Sequence, residues 1–202
     1  CAAMGAAFAS VGADVPSRAE ICAIVGLSLP EAMAVLAPER AADHDALVEG
    51  YKASYMSLRA EKGTAASSPL YEGAMAALER LRAEDETLLA VATGKSRRGL
   101  DKLLQGHGLT GYFVSEQVAD HHPSKPHPAM LEAVLRETGL AAHQAVMVGD
   151  TRFDMEMAQA ARIATVGVSW GYHAPETLGA DKLITHFDEL YDAVNMLLGE
   201  RV

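Results

Sequence analysis

The stretch that decides the fold is AVMVGDTRFD, residues 145–154, in which four apolar residues run directly into a glycine and two carboxylates. An apolar run of this length that ends at a Gly-Asp turn is typical of a buried strand in a parallel sheet. Asp150 follows the predicted strand end, and Asp154 lies in the first turn of the helix after it. Two carboxylates four residues apart predict a site for a hard cation such as Mg²⁺, which prefers oxygen ligands.

Two other predicted strand or loop ends carry groups that bind phosphate. In AVATGKSRR, residues 90–98, an apolar strand runs into Thr93, Gly94, Lys95 and a helix start, which offers a hydroxyl, free backbone N–H groups and a cation. In ADHHPSKPHPAM, residues 119–130, Lys125 lies between prolines that restrict the backbone. Because ligands bind at the carboxyl ends of parallel strands, these groups together predict a phosphoryl-transfer site.

Each of these motifs has an alternative interpretation. Thr93 is equally well placed as an ordinary helix cap, Lys125 as a solvated surface lysine, and Asp154 as a helix cap or the partner of a lysine. A P-loop is rejected because position 89, where an earlier glycine is required, is Leu. A zinc site at His121, His122 and His127 is not favoured either, because neither cysteine ligands nor an HExxH helix accompanies these histidines.

Composition excludes several classes of protein. The chain has 202 residues, of which 50% are hydrophobic and 22% charged, so it predicts a packed globular core. A net charge of −10 argues against binding to nucleic acid or to an anionic membrane surface, and no apolar run reaches the roughly 20 residues of a membrane span. Cys1 and Cys22 do not make a disulfide framework, which favours a cytoplasmic location. Oligomeric state cannot be read from these features.

The chain changes character near residues 63–69. Before this point helical patterns dominate, with a capping-box spacing from Ser17 to Glu20. The helices predicted there are Ala2–Val11, Ser17–Val25, Leu29–Leu36 and Arg40–Glu61. After this point strands and helices alternate, which predicts an α/β fold: a Rossmann-like parallel sheet with helices on both faces. The predicted strands are Thr87–Ala92, Tyr112–Val114, Ala145–Val148, Thr165–Val168 and Lys182–Ile184, and the predicted helices are Leu70–Arg82, Ser96–Gln105, Pro128–Thr138, Phe153–Ala161 and Phe187–Leu198.

The chain resembles the haloacid dehalogenase-like hydrolases, in particular the phosphoglycolate-phosphatase-like branch with a helical cap. Three of that family's four motifs are present in order: VATG with Thr93, SKPHP with Lys125, and GDTRFD with Asp150 and Asp154. The stretch GVSWGYHAPETL, residues 167–178, is similar to the loop after the fifth strand in these phosphatases. The resemblance covers essentially the whole chain, and it implies a helical cap over residues 1–64 and a Rossmann-like core over residues 65–202.

The resemblance implies a Mg²⁺-dependent phosphatase that hydrolyses a small phosphate monoester, such as phosphoglycolate or a sugar phosphate, through an aspartyl-phosphate. Thr93 and Lys125 would be catalytic, and together with Gly94 and Lys95 they would bind phosphate. Asp150 and Asp154 would hold the metal. The cap loop at residues 26–29 is expected to contact the leaving group of a small phosphorylated metabolite.

The family's first motif is absent from the chain. It is a strand ending in Asp-x-Asp-Gly-Thr that supplies the nucleophile, and Asp14 cannot replace it because it lies in a turn between predicted helices. Since that strand is central in the family's sheet, a protein without it would have a slot in its core, and the lost apolar burial would exceed ordinary domain stability. We therefore expect the strand to lie upstream of Cys1.

Other functions are consistent with the same residues. A phosphomutase of the same superfamily shares the three motifs, and a non-catalytic relative would lack the nucleophile altogether. A dehalogenase fits less well because it needs no metal and lacks the acidic pair. A receiver-like signalling module would be shorter and would have no helical insert of about 60 residues.

Overall fold

The structure is a computed structural model that describes residues 1–199; the side chains of residues 61, 62, 64 and 65 are outside this description. Helices make up the first third of the chain, and helices alternate with strands after it. The helices are α1 (Ala2–Ser10), α2 (Arg18–Ala23), α3 (Leu29–Leu36), α4 (His44–Lys62), α5 (Thr64–Ser67), α6 (Ala74–Arg82), α7 (Arg97–Gly106), α8 (Ala129–Thr138), α9 (Arg152–Ala160) and α10 (Leu190–Gly199). The strands are β1 (Ala90–Thr93), β2 (Ser115–Val118), β3 (Val146–Gly149), β4 (Ala164–Val168) and β5 (Lys182–Ile184).

The five strands form two parallel sheets. One sheet pairs β1 with β2, and the other has the order β3-β4-β5. All residues of β4 are buried, whereas β1 and β3 are only partly buried. Among the described residues, β1 pairs with β2 and β3 pairs with β4, so β1 and β3 are not paired with each other. The parallel α/β class predicted from the sequence is confirmed.

The β1 and β3 edges belong to common packing layers. On one face, Ala92 of β1 and Met147 of β3 pack against the same cluster, built from α8 and α9. On the other face, Leu89, just before β1, and Val148 of β3 pack against the cluster of α6 and α10. Helices therefore cover both faces, and they hold the two sheets beside each other.

The helical first third has a core of its own. Its buried residues lie in α1 to α4 and the segments between them, and they form one cluster: Met4, Ala7, Phe8, Ile21, Ile24, Ala32, Met33, Ala37, Leu47 and Val48. The predicted capping box is present, since Glu20 accepts a hydrogen bond from Ser17 N at 2.7 Å and Ser17 Oγ accepts one from Glu20 N at 3.3 Å. None of the helices in residues 1–199 combines the length and apolarity needed to cross a lipid bilayer.

Several predicted elements were displaced. The strand predicted from Thr87 begins only at Ala90, and the helix predicted from Phe187 begins at Leu190 after a 3₁₀ turn. The strand predicted at Tyr112–Val114 is wrong: the strand is Ser115–Val118, while the Tyr112 and Phe113 rings pack in a separate cluster around α7. The helix predicted from Leu70 begins only at Ala74, because Gly73 has left-handed backbone geometry at its N-cap. The helix predicted from Arg40 begins at His44, after a 3₁₀ turn in which Arg40 is non-helical.

Replacing Leu47 by Ala is expected to lower the free energy of unfolding by about 2–5 kcal/mol, because the side chain is fully buried in the helical cluster. Urea denaturation followed by circular dichroism measures this loss. Met56→Ala on the same helix is the matched control, since Met56 is 46% exposed and its loss should stay within about 0.5 kcal/mol. Equal losses in the two variants would contradict the assignment of this core.

Candidate active site

A buried ion pair joins the loop after β2 to the start of α9. Lys125 Nζ lies 2.6 Å from Asp154 Oδ1, and the side chains are only 7% and 5% exposed. Asp154 Oδ2 accepts hydrogen bonds from Asp150 N at 3.2 Å, Thr151 N at 3.0 Å and Thr151 Oγ1 at 2.8 Å. Both oxygens of Asp154 are thus engaged, so Asp154 positions the Lys125 ammonium and the turn that carries Asp150.

These contacts decide between the alternative interpretations of Lys125 and limit those of Asp154. Lys125 is not a solvated surface lysine, since it is buried against a carboxylate. Asp154 forms a capping box with Thr151 and is also the partner of a lysine. Its predicted role as a direct metal ligand stays a prediction, and these hydrogen bonds favour the positioning role.

Asp150 lies beyond the end of β3 and is half-buried. Its Oδ2 accepts a hydrogen bond from Tyr172 N at 3.0 Å, in the loop after β4. Burial raises the pKa of the Asp150 carboxyl, and the nearby charge of Asp154 adds to the increase. A side chain at Gly171 would overlap the Asp150 carboxylate, so glycine is needed there for this close approach. Asp150 is therefore a partly desolvated carboxylate that a cation would stabilise.

Thr93 and Lys95 lie at the carboxyl end of β1. Thr93 Oγ1 accepts a hydrogen bond from Lys95 N at 3.2 Å. The helix cap is Ser96, whose Oγ accepts a hydrogen bond from Gly99 N at 3.2 Å, so Thr93 is not the ordinary helix cap. Lys95 is exposed, and its Nζ lies 5.8 Å from the centroid of the Tyr55 ring.

The loop at residues 26–28 lies between the ends of β1 and β3. A methyl group built at Gly94 would lie 2.7 Å from Gly26 O, and one built at Gly26 would lie 3.0 Å from Thr151 Oγ1. Ser28 N donates a hydrogen bond of 2.8 Å to Ser124 Oγ, next to Lys125. This loop of the helical third therefore touches all three predicted motifs and brings them into one region.

A cavity of about 780 Å³ opens beside Lys125, between the helical third and the loop after β2. Its walls are largely apolar and carry charged side chains of both signs. They are Glu20, Ala23, Ile24, Leu27, Glu31, Val35, Leu36, Pro123, Ser124, Lys125, Pro126, His127, Arg152 and Phe153. Thr93 and Asp150 do not line it.

The donor set at the end of β3 fits Mg²⁺ in part. Asp150 supplies a partly buried carboxylate oxygen, which is the ligand type that Mg²⁺ prefers. Among residues 1–199, a group of three potential ligands occurs instead at His186, Asp188 and Glu189, all exposed. Glu189 there accepts hydrogen bonds from Thr185 and from His186 N, so helix capping explains that cluster.

Several residues of this region were missed by the sequence argument. Thr151 donates a hydrogen bond to the Asp154 carboxylate, and Gly171 leaves room for the Asp150 carboxylate. Ser124, next to Lys125, accepts a hydrogen bond from Ser28 of the helical third. The signal for Thr151 was present in the sequence, since Thr151 and Asp154 have the spacing of a capping box. The contact between Ser124 and Ser28 gave no signal, because the two residues are 96 positions apart in the sequence.

With this geometry in view, comparison with known proteins identifies the family. The model of the haloacid dehalogenase-like hydrolase family matches residues 1–168, and the chain belongs to this family. It is 34% identical over 188 residues to "Probable phosphatase IndB" of Dickeya dadantii, a match that covers 90% of this chain and 80% of that protein. It is 31% identical over 140 residues to a phosphoglycolate phosphatase of Photobacterium profundum, covering 67% of this chain and 61% of that protein.

Solved structures share the fold. A hydrolase from Pseudomonas syringae has a TM-score of 0.81 at 19% identity, covering 96% of this chain and 90% of that one. A β-phosphoglucomutase from Clostridium difficile has a TM-score of 0.80 at 16% identity, covering 98% of this chain and 88% of that one. The family predicted from the three motifs is confirmed.

Replacing Lys125 by Met is expected to lower the free energy of unfolding by about 3–5 kcal/mol, because Asp154 would be left as an unpaired buried charge. The double variant Lys125→Met/Asp154→Asn should recover part of this loss, since the amide can still cap α9 without a charge. Chemical denaturation of the three proteins measures the effect, with Lys102→Met on the exposed face of α7 as the control. A further loss in the double variant would contradict the ion-pair assignment.

Asp150→Asn is expected to make the protein more stable at pH 7 in buffer with chelator. Because the pKa of Asp150 is raised above its ordinary value of 3.8, folding favours the protonated carboxyl. That contribution is fully present below the unfolded pKa and is lost as the pH rises through the folded one. The advantage of the Asn variant should therefore shrink toward zero as the pH falls to about 4.

Thermal melts from pH 4 to pH 8 measure this dependence. The exposed Asp85 supplies the matched control, since Asp85→Asn should change stability little at any of these values. An Asn variant at position 150 that is less stable than the wild type at pH 7 would show that the carboxylate is not destabilised by burial.

Proposed function

We propose that this protein hydrolyses a small phosphate monoester, such as phosphoglycolate or a sugar phosphate, in a Mg²⁺-dependent reaction. The observation that carries the proposal is the buried Lys125–Asp154 pair held against the turn of Asp150. The relatives named phosphatases support the reaction class, although the chain spans only 61% and 54% of the two phosphoglycolate phosphatases matched first. A small phosphorylated metabolite is accordingly the proposed partner.

In this proposal the phosphate binds at the carboxyl ends of β1 and β3, beside the loop at residues 26–28 that contacts both. Lys125 presents an ammonium that is already oriented by Asp154, so little reorganisation is needed when charge develops on the phosphate oxygens. Thr93 contributes its hydroxyl, Gly94 its backbone N–H, and Lys95 a second, exposed cation. In a chain of net charge −10, these local donors would offset the general repulsion of an anion.

Asp150 is the proposed metal ligand from this chain. Mg²⁺ bound there would supply charge neutralisation and orientation of the phosphate. Asp154 would act behind it, by fixing the Asp150 backbone and the lysine.

The nucleophile in the proposal is an aspartate on a strand seated between β1 and β3. Supporting this placement, β1 and β3 share packing layers on both faces, although the described residues of the two strands are not paired with each other. Asp14 lies exposed in the turn between α1 and α2. The carboxylate would attack phosphorus, the alcohol would leave, and water would then cleave the acyl phosphate.

We further propose that residues 1–64 act as a cap on a core formed by residues 65–202. The support is a separate hydrophobic cluster in the helical third and the contact of its loop at residues 26–28 with the three motifs. Such a cap would exclude bulk water during the reaction.

A phosphomutase is the second candidate. The observation that favours it is the match to β-phosphoglucomutase along 98% of this chain. The two reactions share the phosphoenzyme and differ in the acceptor, which is water in one and a second hydroxyl of the substrate in the other.

The full-length protein is expected to release phosphate from p-nitrophenyl phosphate when Mg²⁺ is present and to lose this activity with chelator. Thr93→Val and Lys125→Met should each reduce kcat by about 100-fold or more, because each removes a donor aimed at the transferring phosphate. Lys102→Met should keep full activity. Steady release of phosphate in the presence of chelator, or an unchanged kcat in both variants, would refute the proposal. Isomerisation of a sugar phosphate without release of phosphate would favour the phosphomutase.

A further inference from the structure

A series of hydrogen-bonded polar side chains runs from α8 across β2 to the loop that carries Lys125. Ser115 Oγ donates a hydrogen bond of 2.7 Å to Glu137 Oε2 on α8. Gln117 Nε2 donates to the same oxygen and to Ser115 Oγ, both at 2.9 Å. His122 Nε2 lies 2.7 Å from Gln117 Oε1. We call Ser115, Gln117, His122 and Glu137 the polar network.

Two members of the polar network are buried side chains of the sheet. Ser115 and Gln117 are two residues apart on β2, so their side chains leave the same face of the strand, and the residues are only 3% and 8% exposed. Buried polar groups need hydrogen-bond partners, and the network supplies them. The Gln117 amide is held at both its nitrogen and its oxygen, which fixes its orientation.

The direction of these hydrogen bonds fixes the state of His122. Because the Gln117 nitrogen donates to Glu137, its oxygen faces the imidazole, and the hydrogen of that bond belongs to His122 Nε2. Burial lowers the pKa of His122, and the charges of His121 and Arg136 lower it further. The hydrogen bonds that Glu137 accepts lower the pKa of its carboxyl. A neutral imidazole thus donates to an amide whose other end is held by a carboxylate.

Other contacts fix the two ends of the loop after β2. At its start, Asp120 Oδ2 accepts a hydrogen bond of 2.7 Å from Arg97 N in the first turn of α7. At its end, the Lys125 ammonium meets the Asp154 carboxylate. His122 lies between these ends, three residues before Lys125, and its side chain ties the middle of the loop back to β2.

The ion pair depends on the position of this loop more than on that of its acidic partner. Asp154 is held by its capping box with Thr151 at the start of α9. Lys125 instead carries its charge on a flexible stem that starts from a loop. The placement of the ammonium therefore depends on what holds the loop backbone.

We propose that His122 is a positioning residue, which holds the loop after β2 through the polar network so that the Lys125 ammonium lies ready for the transferring phosphate. This inference rests on the proposed function, which gives Lys125 that role. His122 acts through the loop and does not itself contact the phosphate. Without its hydrogen bond the middle of the loop would be released, and a displaced ammonium would stabilise the developing charge less well.

Two variants of similar size to histidine separate the hydrogen bond from the packing of the ring. His122→Phe keeps a ring and removes the donor, so kcat with p-nitrophenyl phosphate and Mg²⁺ should fall about 10- to 100-fold with little change in KM. His122→Gln returns an N–H donor at a similar reach and should restore most of kcat. His121→Ala is the matched control, since His121 is the exposed neighbour in the same loop.

A second measurement follows the lysine without turnover. NMR of the full-length protein in phosphate-free buffer detects the Lys125 ammonium, because a buried and paired ammonium exchanges its hydrogens with water slowly. The signal should be present in the wild type and in His122→Gln. It should broaden or vanish in His122→Phe, because the displaced ammonium would meet water. Melting curves establish that each variant is folded.

Glu137→Ala provides the deciding variant if His122→Phe fails to fold. Glu137 is exposed, and its removal takes away the carboxylate that orients the Gln117 amide. We expect a decrease in kcat and a broader Lys125 signal, in the same direction as in His122→Phe but smaller. Glu132→Ala, an exposed position on the same helix, is the control and should change neither.

The outcomes separate this inference from the proposed function. An unchanged kcat and an unchanged ammonium signal in His122→Phe would overturn the role of His122 and leave the phosphatase intact. A Phe variant that matches the wild type while the Gln variant fails would also overturn it, because ring packing would then be what matters. If the wild type releases no phosphate, the proposed function fails, and the ammonium signal alone decides whether His122 positions Lys125.

Discussion

The candidate site depends on the ion pair between Lys125 and Asp154. Removing both charges from water costs several kcal/mol for each ion, and only close pairing with further hydrogen bonds offsets this cost. Here the second oxygen of Asp154 accepts three hydrogen bonds from Asp150 and Thr151, so the carboxylate is fully used. The pair consequently fixes both the lysine loop and the turn after β3, which are 29 residues apart along the chain.

Glycines allow the two carboxylates to approach the backbone this closely. A side chain at Gly149 would overlap the Asp154 carboxylate, and one at Gly171 would overlap Asp150. Since the obstacle in both cases would be a neighbouring acid, larger residues there would displace the charged groups themselves. Glycine is thus required at positions 149 and 171 because a side chain there would displace a carboxylate of the site.

The sequence predicted the parts of the fold whose signal is local. The apolar runs of β3 and β4, and the carboxylates after β3, were readable because buried parallel strands are continuously apolar. Strand β2 was misplaced because its buried residues Ser115 and Gln117 are polar, and the sequence does not reveal that Glu137 on α8 accepts hydrogen bonds from both.

The two ends of the candidate site arise from different parts of the chain, and this separation bears on specificity. The proposed phosphate donors lie at strand ends, whereas the stacked rings of Tyr51 and Tyr55 belong to α4 of the helical third. A phosphomutase shares the fold at a TM-score of 0.80 with only 16% identity, so the arrangement of strands does not determine which acceptor receives the phosphoryl group. The choice between water and a substrate hydroxyl as acceptor must depend on which groups the residues at the entrance of the site admit. Under the proposed function, changes on α4 beside Lys95 are expected to alter the choice of substrate and to leave the Lys125–Asp154 pair intact.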